Sequence, residues 1–413
     1  MDNQFTLPIE YELDFERVKK GLETAKSPQG WNVKKGGSCG SDILLNKNRI
    51  YCASCNGKLY CLSLEGEKIW SFETDGIILN TLTIKDDVIY LGSFDGNFYA
   101  LDLDGRVKWS YSTGDKLGYA PLVYKERIFF GNKGGRFHCL NLEGKLLWNY
   151  DTTSLATSPA VYNDIVFFGD NAGMNAFTID GKMLWYYETG AYVGTAHFYK
   201  NNIYFSCFNR NIYCLTLEGK TVWTKEMNSF AYISRTLGIF DGKIVVGLMD
   251  HYLYCLDAET GKEIWKFNGL IPVKGTKEGD TLYVGDLDNR FIAIDFKTGK
   301  QKWMYLTNGG IFCEPLVTED RVVFSCWDTY IYCVDKQGKT LWKFKAEGNP
   351  STVDIEHRDE ITTKYAEPLP EVTLPKLYKS LATGHLETEH VYGSSMSGYV
   401  AKEKHYVQRR RYV

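Results

Sequence analysis

No stretch of this 413-residue sequence approaches the ~18 uninterrupted apolar residues of a membrane-crossing helix, so no membrane span is expected. Neither sign of charge dominates: 48 Lys and Arg stand against 51 Asp and Glu, leaving a formal net charge of −3. No global basic field therefore argues for nucleic acid as a partner. The opening, MDNQFTLPIEYELDFERVKKGLE, has no apolar run behind a basic segment. No export signal is read there, and a cytoplasmic location is expected. Eleven cysteines, odd in number and irregularly spaced, fit reduced thiols in such a compartment. Neither G-x-S-x-G nor G-x-G-x-x-G occurs in a strand-helix context, and a P-loop and the C-x-x-C-H of haem attachment are missing.

What the sequence has is one phrase written eight times. Its clearest copy is LYCLDAETGKEIWKF from Leu253 to Phe267: a strand, a polar Gly turn and a second strand carrying Trp265. It recurs with Trp70, Trp109, Trp148, Trp185, Trp223, Trp303 and Trp342, at intervals of 37 to 42 residues. A period near 40 built from strand-sized pieces marks a radial array. Hydrophobic residues make up 44 % of the chain and aromatics 15 %, enough apolar surface for a core of that length. Upstream of each Trp, a strand ends in a small residue: Ala53, Gly92, Gly131, Gly169, Ser206, Gly247, Gly285 or Ser325. The three residues before it are apolar in nearly every copy, so both faces of this strand are buried, as in a sheet held between two neighbours. Pairs such as Asn56-Gly57 and Asp95-Gly96 then predict tight hairpins. The expected fold is all-β: an eight-bladed β-propeller of four-stranded antiparallel blades over 36–346. It is preceded by a 1–35 extension with a short helix at 14–24, and followed by a 347–413 tail. Trp31 lies in phase with the series, which leaves two readings: an outer strand that helps close the ring, or a decayed repeat.

The repeat resembles the pyrroloquinoline-quinone-type propeller family, whose consensus carries A-L-D-x-x-T-G-K-x-x-W. Leu256-Asp257-Ala258-Glu259-Thr260-Gly261-Lys262 with Trp265 matches it, and so does Ile294-Asp295-Phe296-Lys297-Thr298-Gly299-Lys300 with Trp303. The other six repeats keep the strand, the Gly turn and the Trp but have shorter turns. The resemblance implies the fold. For function it implies either of two classes, because the family includes quinone-dependent dehydrogenases and non-enzymatic binding proteins. The enzymes hold quinone and Ca²⁺ through an Arg, a Trp, acidic groups and often adjacent cysteines. This chain has no Cys-Cys dipeptide, and only Asp170 and Asp286 stand out on the turn side, whereas Ca²⁺ wants several oxygen ligands. The outer-membrane assembly lipoproteins represent the second class. Their signal and lipid-anchor cysteine are not seen here, so envelope assembly is not carried over.

The remaining candidates have structural readings. One Trp per blade fills the wedge between neighbours. Cys61, Cys139, Cys214, Cys255 and Cys333 share a position that Ala100, Ala293 and Phe177 fill elsewhere, so they are small core residues. Cys52 is expected opposite Cys61, and Cys52-Ala53-Ser54-Cys55 is a C-x-x-C on a strand, where residues three apart face opposite ways. His385, Glu387, Glu389 and His390 read as a solvated charged strand. No catalytic, cofactor or metal residue is therefore assigned.

Contact with other proteins is placed at the mouth of the ring, in the apolar loops that enter each blade. Ile78, Leu117, Tyr119, Tyr192, Tyr232, Val273 and Phe312 are the candidates there. Such residues either form a patch for a partner or turn inward and plug the channel. The tail has six Tyr but no Trp, Phe or Cys, and adds Tyr399, Tyr406, Arg409, Arg410 and Arg411 as docking candidates. A short basic run is ordinarily solvated surface, so nucleic acid is not the expected partner. The sequence reading is a non-enzymatic scaffold subunit that binds proteins through its propeller face and tail. A quinone-dependent dehydrogenase is the alternative.

Overall fold

The computed structural model describes residues 31–33, 35–79, 82–152, 155–229, 237–269, 273, 275–351 and 353–355. Within them, eight four-stranded antiparallel sheets follow one another along the chain. In the first, Leu44–Asn46, Arg49–Ala53, Lys58–Ser63 and Lys68–Glu73 pair in order. The same plan repeats over 83–112, 122–151, 160–188, 197–226, 237–268, 276–306 and 316–345, giving blades 1 to 8. First strands of neighbouring blades approach one another around the axis. Fourth strands form the outer edges and expose alternate residues. The middle strands are buried on both faces, as the uninterrupted apolar runs require. This is the predicted eight-bladed propeller.

The blades are joined by their tryptophans. Each indole Nε1–H donates to a backbone carbonyl in the turn between the third and fourth strands of the next blade. Trp70 reaches Leu103 O at 3.1 Å, Trp148 reaches Ile179 O at 3.0 Å and Trp265 reaches Phe296 O at 3.0 Å. Trp342 in the last blade returns to Leu64 O in the first, at 2.8 Å. The glycine of each receiving turn lies under the ring. A Cβ on Gly105 would stand 2.9 Å from Trp70, and one on Gly66 2.6 Å from Trp342. These glycines also have φ of +82° and +84°, where side chains are disfavoured.

Two further features aim the indoles. Opposite every Trp stands Cys or Ala: Cys61, Ala100, Cys139, Ala176, Cys214, Cys255, Ala293 and Cys333. The blade 4 member is Ala176, not Phe177 as the sequence alignment had it. Cys61 likewise faces Tyr51, while Cys52 faces Tyr60, so the expected Cys52–Cys61 opposition is off by one residue and puts the two thiols on opposite faces. The second feature is a bulge in all eight fourth strands. Trp70 pairs with Cys61, but Leu62 pairs with Lys68, leaving Ile69 unpaired. A bulge strengthens local twist and re-aims the side chain beside it, here the Trp. It also breaks the outer-edge ladder, which discourages pairing with another chain. The extra residues Ile69, Leu147, Leu184, Val222, Ile264 and Leu341 are exposed.

The hairpins differ from expectation in which turn is doubly left-handed. Both residues of Lys47-Asn48, Asp86-Asp87, Asn163-Asp164 and Lys200-Asn201, between first and second strands, have positive φ, the two-residue hairpin geometry. In the turn after the second strand only the last residue does, as at Gly57, Gly96 and Gly135.

The chain divides into two compact units, one of which contains every blade, between residues 33 and 352. Trp31–Val33 pairs with Val353–Ile355 as a separate two-stranded sheet. Trp31 thus belongs to no blade, and each blade is one continuous piece of chain. Ring closure rests instead on side chains and turns. Cys39 N donates to Cys326 O at 3.1 Å and Ser325 Oγ to Ser41 O at 2.8 Å. Arg321 Nη1 donates to Leu64 O at 2.7 Å, and Lys58 pairs with Glu347 at 2.6 Å. One apolar cluster joins Ile50, Cys52 and Leu62 of blade 1 to Val323, Ile331 and Cys333 of blade 8. All eleven cysteines are buried and unpaired. The predicted 14–24 helix lies outside the described residues.

Closure by Trp342 predicts that Trp342→Ala lowers stability by about 3 kcal/mol, from lost ring burial and one hydrogen bond. Gly66→Ala should act in the same direction. Trp342→Phe, which keeps most of the ring, should cost about 1 kcal/mol. Urea unfolding midpoints of the three variants measure this ordering.

Candidate functional site

On one face of the ring, the turn between second and third strands meets the loop that enters the first strand of the same blade. A backbone bond ties the second turn residue to that loop. It runs from Cys55 N to Ser38 O, Phe94 N to Ile77 O, Lys133 N to Lys116 O, Phe208 N to Tyr192 O and Trp327 N to Gly310 O, at 2.8–3.0 Å. The next loop residue then lies on the small residue that ends the second strand of the preceding blade. A Cβ on Gly92 would be 2.6 Å from Leu117 Cβ, and one on Gly285 2.3 Å from Ile311 Cγ2. This close approach explains why the position is small in every repeat.

The mouth candidates divide accordingly. Ile78, Leu117, Val273 and Tyr192 are 1, 2, 3 and 7 % exposed. Ile78 and Leu117 pack into the apolar clusters between neighbouring blades. Tyr119 and Phe312 are half-buried. The Tyr119 and Tyr192 hydroxyls meet at 3.3 Å, joining the loops into blades 3 and 5, and Phe312 packs on Trp327 at 5.1 Å. The loops thus turn much of their apolar content inward. Tyr232, Tyr399, Tyr406 and Arg409–Arg411 lie outside the described residues, as do His385, Glu387, Glu389 and His390.

Sequence reasoning passed over a second ring, the second residue of each turn: Cys55, Phe94, Lys133, Asn171, Phe208, Met249, Leu287 and Trp327. Lys133 is its one charged member. Counting two residues past the aligned small position would have exposed it. Lys116, at the loop position bonded to it, is the one charged residue among its described counterparts Ser38, Ile77, Leu155, Tyr192 and Gly310. Both ammonium groups lie over the Phe94 ring, Lys133 at 4.5 Å and Lys116 at 5.9 Å from its centroid. Burial, then the Lys116 charge, lowers Lys133 to about 8.

The turns are braced from below. Tyr60 bonds Asn56 at 2.7 Å, Tyr99 bonds Asp95 at 2.8 Å, Tyr213 bonds Asn209 at 2.7 Å, and Tyr254 and Tyr332 bond Asp250 and Asp328 at 2.6 Å. The two acids that stood out in the sequence are engaged in the same way. Asp170 accepts from Ala172 N and Gly173 N at 2.8 Å and from Asn175 Nδ2 at 3.1 Å. Asp286 accepts from Asp288 N and Arg290 N at 2.9 Å and from Arg290 Nε at 2.7 Å. Its burial raises it to about 7 against the pull of Arg290. With their oxygens held inside separate turns, these acids do not fit the Ca²⁺ and quinone that the enzymatic resemblance implies. Among the described residues, no group of three or more His, Cys, Asp or Glu is arranged to hold a metal ion.

Blade 3 lacks the brace. Its turn has Gly134 in place of Asn or Asp, and His138 replaces the Tyr. The imidazole is buried, stacked on Phe130 at 5.1 Å, with no partner on either nitrogen. Burial, and then Arg136, lowers it to about 4.

The family described as "Outer membrane protein assembly factor BamB" matches residues 16–267 and 268–366. The human beta-alanine-activating enzyme is 25 % identical over 141 residues, 32 % of this chain, and the match spans only 13 % of that protein. BamB from Moraxella catarrhalis aligns with a TM-score of 0.61 at 17 % identity, covering 69 % of this chain and 93 % of that one. The quinohemoprotein alcohol dehydrogenase from Comamonas testosteroni aligns at 0.64 and 12 % identity, covering 79 % and 76 %. At these identities the two structures speak for the fold alone.

Folded His138 gains its proton near pH 4, whereas the unfolded chain does so near 6.5. Between those values the unfolded state holds more protons, so stability is full above about 6.5 and falls as pH drops toward 4. The loss attributable to this group is on the order of 3 kcal/mol. His138→Phe should remove that part of the acid sensitivity, read as a smaller difference between urea midpoints at pH 7 and pH 4.5.

Proposed function

The chain belongs to the family of the outer membrane protein assembly factor BamB, and from that premise we propose that it is a non-enzymatic platform that binds other proteins at the mouth of its ring. One observation carries this reading: half-buried aromatics, Phe94, Tyr119, Phe208 and Phe312, sit on turns and loops laced together by backbone bonds. Rigid aromatics in a preorganised frame lose little freedom on binding and commonly dominate contact energy. The printed role of BamB, assembly of outer membrane proteins, is a property of that protein. What is taken from it here is only that a propeller of this family can serve as an assembly component.

The tail, with Tyr399, Tyr406 and Arg409–Arg411, is proposed as a second attachment. A reducing, cytoplasmic compartment is also part of the proposal and rests on the eleven unpaired cysteines. The alternative is a quinone-dependent dehydrogenase, favoured by the fold shared with the Comamonas enzyme. The engagement of Asp170 and Asp286 in their own turns supports the platform instead.

The experiment is native purification of the full chain with quantitative mass spectrometry, beside Phe94→Ala/Phe312→Ala. A stoichiometric protein partner is expected, with its Kd weakened at least ~10-fold by the double substitution. Full-chain protein that carries a quinone chromophore or bound Ca²⁺, and no partner, would overturn the reading in favour of the dehydrogenase.

A further inference from the structure

In six of the eight turns the third residue is Asn or Asp (Asn56, Asp95, Asn209, Asp250, Asp288 and Asp328), and in blade 4 it is Ala172. In blade 3 it is Gly134, where a Cβ would stand 2.4 Å from Asp115 Oδ2. The turn with the extra lysine is thus a turn without its own acid. Asp115 is the carboxylate nearest in sequence, and its Oδ1 accepts from Lys116 N at 2.6 Å. The other acid of the neighbourhood, Asp151, is held by Arg136 at 2.7 Å. No carboxylate among the described residues lies within ion-pair distance of Lys116 or Lys133. The two ammonium groups therefore converge on one aromatic ring with no direct ion pair among the described residues, and the nearby Asp115 charge only partly offsets the lowering of Lys133. The net charge of −3 means they are not part of a general basic surface.

We propose that Lys116 and Lys133, over Phe94, form a carboxylate-recognition site that takes the side chain of a Glu or Asp in an apolar-flanked acidic segment of the protein partner. The proposal rests on the platform reading and deepens it by naming the partner's chemistry. A peptide fits better than a free anion because the pair stands over the half-buried Phe94 ring. The exposed part of that ring rewards an apolar flank as well as a charge. Lysines present point charges on flexible stems and suit a single carboxylate oxygen each, without the fixed fork of Arg. Desolvation of Lys133 strengthens attraction to an arriving carboxylate relative to an exposed lysine.

The test uses the full chain and a short fluorescent peptide with two central glutamates between leucines, beside its glutamine counterpart. The acidic peptide should bind at least ~10-fold tighter than the glutamine one, and the preference should shrink with added salt. Lys116→Gln/Lys133→Met should abolish the preference. Removing a half-buried ammonium that makes no ion pair among the described residues should leave the melting temperature equal or higher, so loss of binding cannot be confused with loss of fold. Lys133 should also be the lysine most readily acetylated at pH 8, and the acidic peptide should protect it. Equal binding of both peptides, or an undiminished preference in the double variant, would overturn the site. So would acetate or citrate displacing the peptide at concentrations near its own Kd, since the site would then serve free anions. The two proposals fail separately. A partner retained by Lys116→Gln/Lys133→Met but lost by Phe94→Ala/Phe312→Ala leaves the platform standing and removes the carboxylate site. A lysine-dependent peptide preference in a chain that captures no partner supports the site and removes the platform.

Discussion

Every blade gives its neighbour one indole, and the ring exists because the last indole reaches the first blade. Closure by a shared strand would tie the two ends of the chain through a ladder of backbone bonds. Here all four strands of each blade are consecutive, so each interface depends on an indole over a glycine, one Nε1–H to a carbonyl and the apolar surface beneath. A hydrogen bond of that kind contributes about 1 kcal/mol net. The burial it aligns contributes more, and the sum repeats eight times. Stability of such an array is approximately a sum of unit and nearest-neighbour terms. The blade 8 to blade 1 interface is then one among equals, and its added contacts through Arg321, Glu347 and Ser325 offset the lack of chain continuity there.

The same constraint shapes the mouth. For an indole to land correctly, blades must approach closely at the inner end as well, which forces the small residue ending each second strand and presses a loop residue onto it. Leu117 on Gly92 and Ile311 on Gly285 are consequences of that approach. Once the loop backbone is fixed, the side chains beside the plug are free to vary. The second turn position accordingly ranges from Cys55 through Phe94 and Lys133 to Trp327, while the backbone bond beneath it persists in blades 1, 2, 3, 5 and 8. A frame that is invariant and a rim that is variable suit a binding surface.

The architecture was legible in the sequence because its determinants are local: a Trp, a Gly turn and a small residue at fixed spacing. Details that depend on counting across a hairpin were not. A blade 4 hairpin one residue shorter than its neighbours put Phe177 where Ala176 belongs, and the register set by the turn after Ala53 pairs Cys52 with Tyr60 instead of Cys61. Apolar loop composition located the mouth but could not give direction, since Ile78 facing a partner and Ile78 facing Ala53 look alike in one dimension. Lys116 and Lys133 escaped for another reason. Each is unremarkable alone, and only the backbone bond between them shows that two isolated departures from the repeat are one feature.

That feature has an energetic cost. With Lys133 lowered to about 8 from 10.5, the unfolded state holds more protons across that interval. At neutral pH the charged, folded side chain is disfavoured by roughly 2–3 kcal/mol, less what residual solvent access screens. The residues filling the same position elsewhere, such as Phe208, Met249 and Leu287, carry no charge to desolvate. A substitution this costly, in a repeat that offers seven cheaper precedents, is the pattern expected where stability is set against function. The cost falls on the free protein and is relieved only when an opposite charge arrives. In the site we propose, the arriving carboxylate relieves that cost, so a position that is destabilising in the free protein is complementary in the proposed complex.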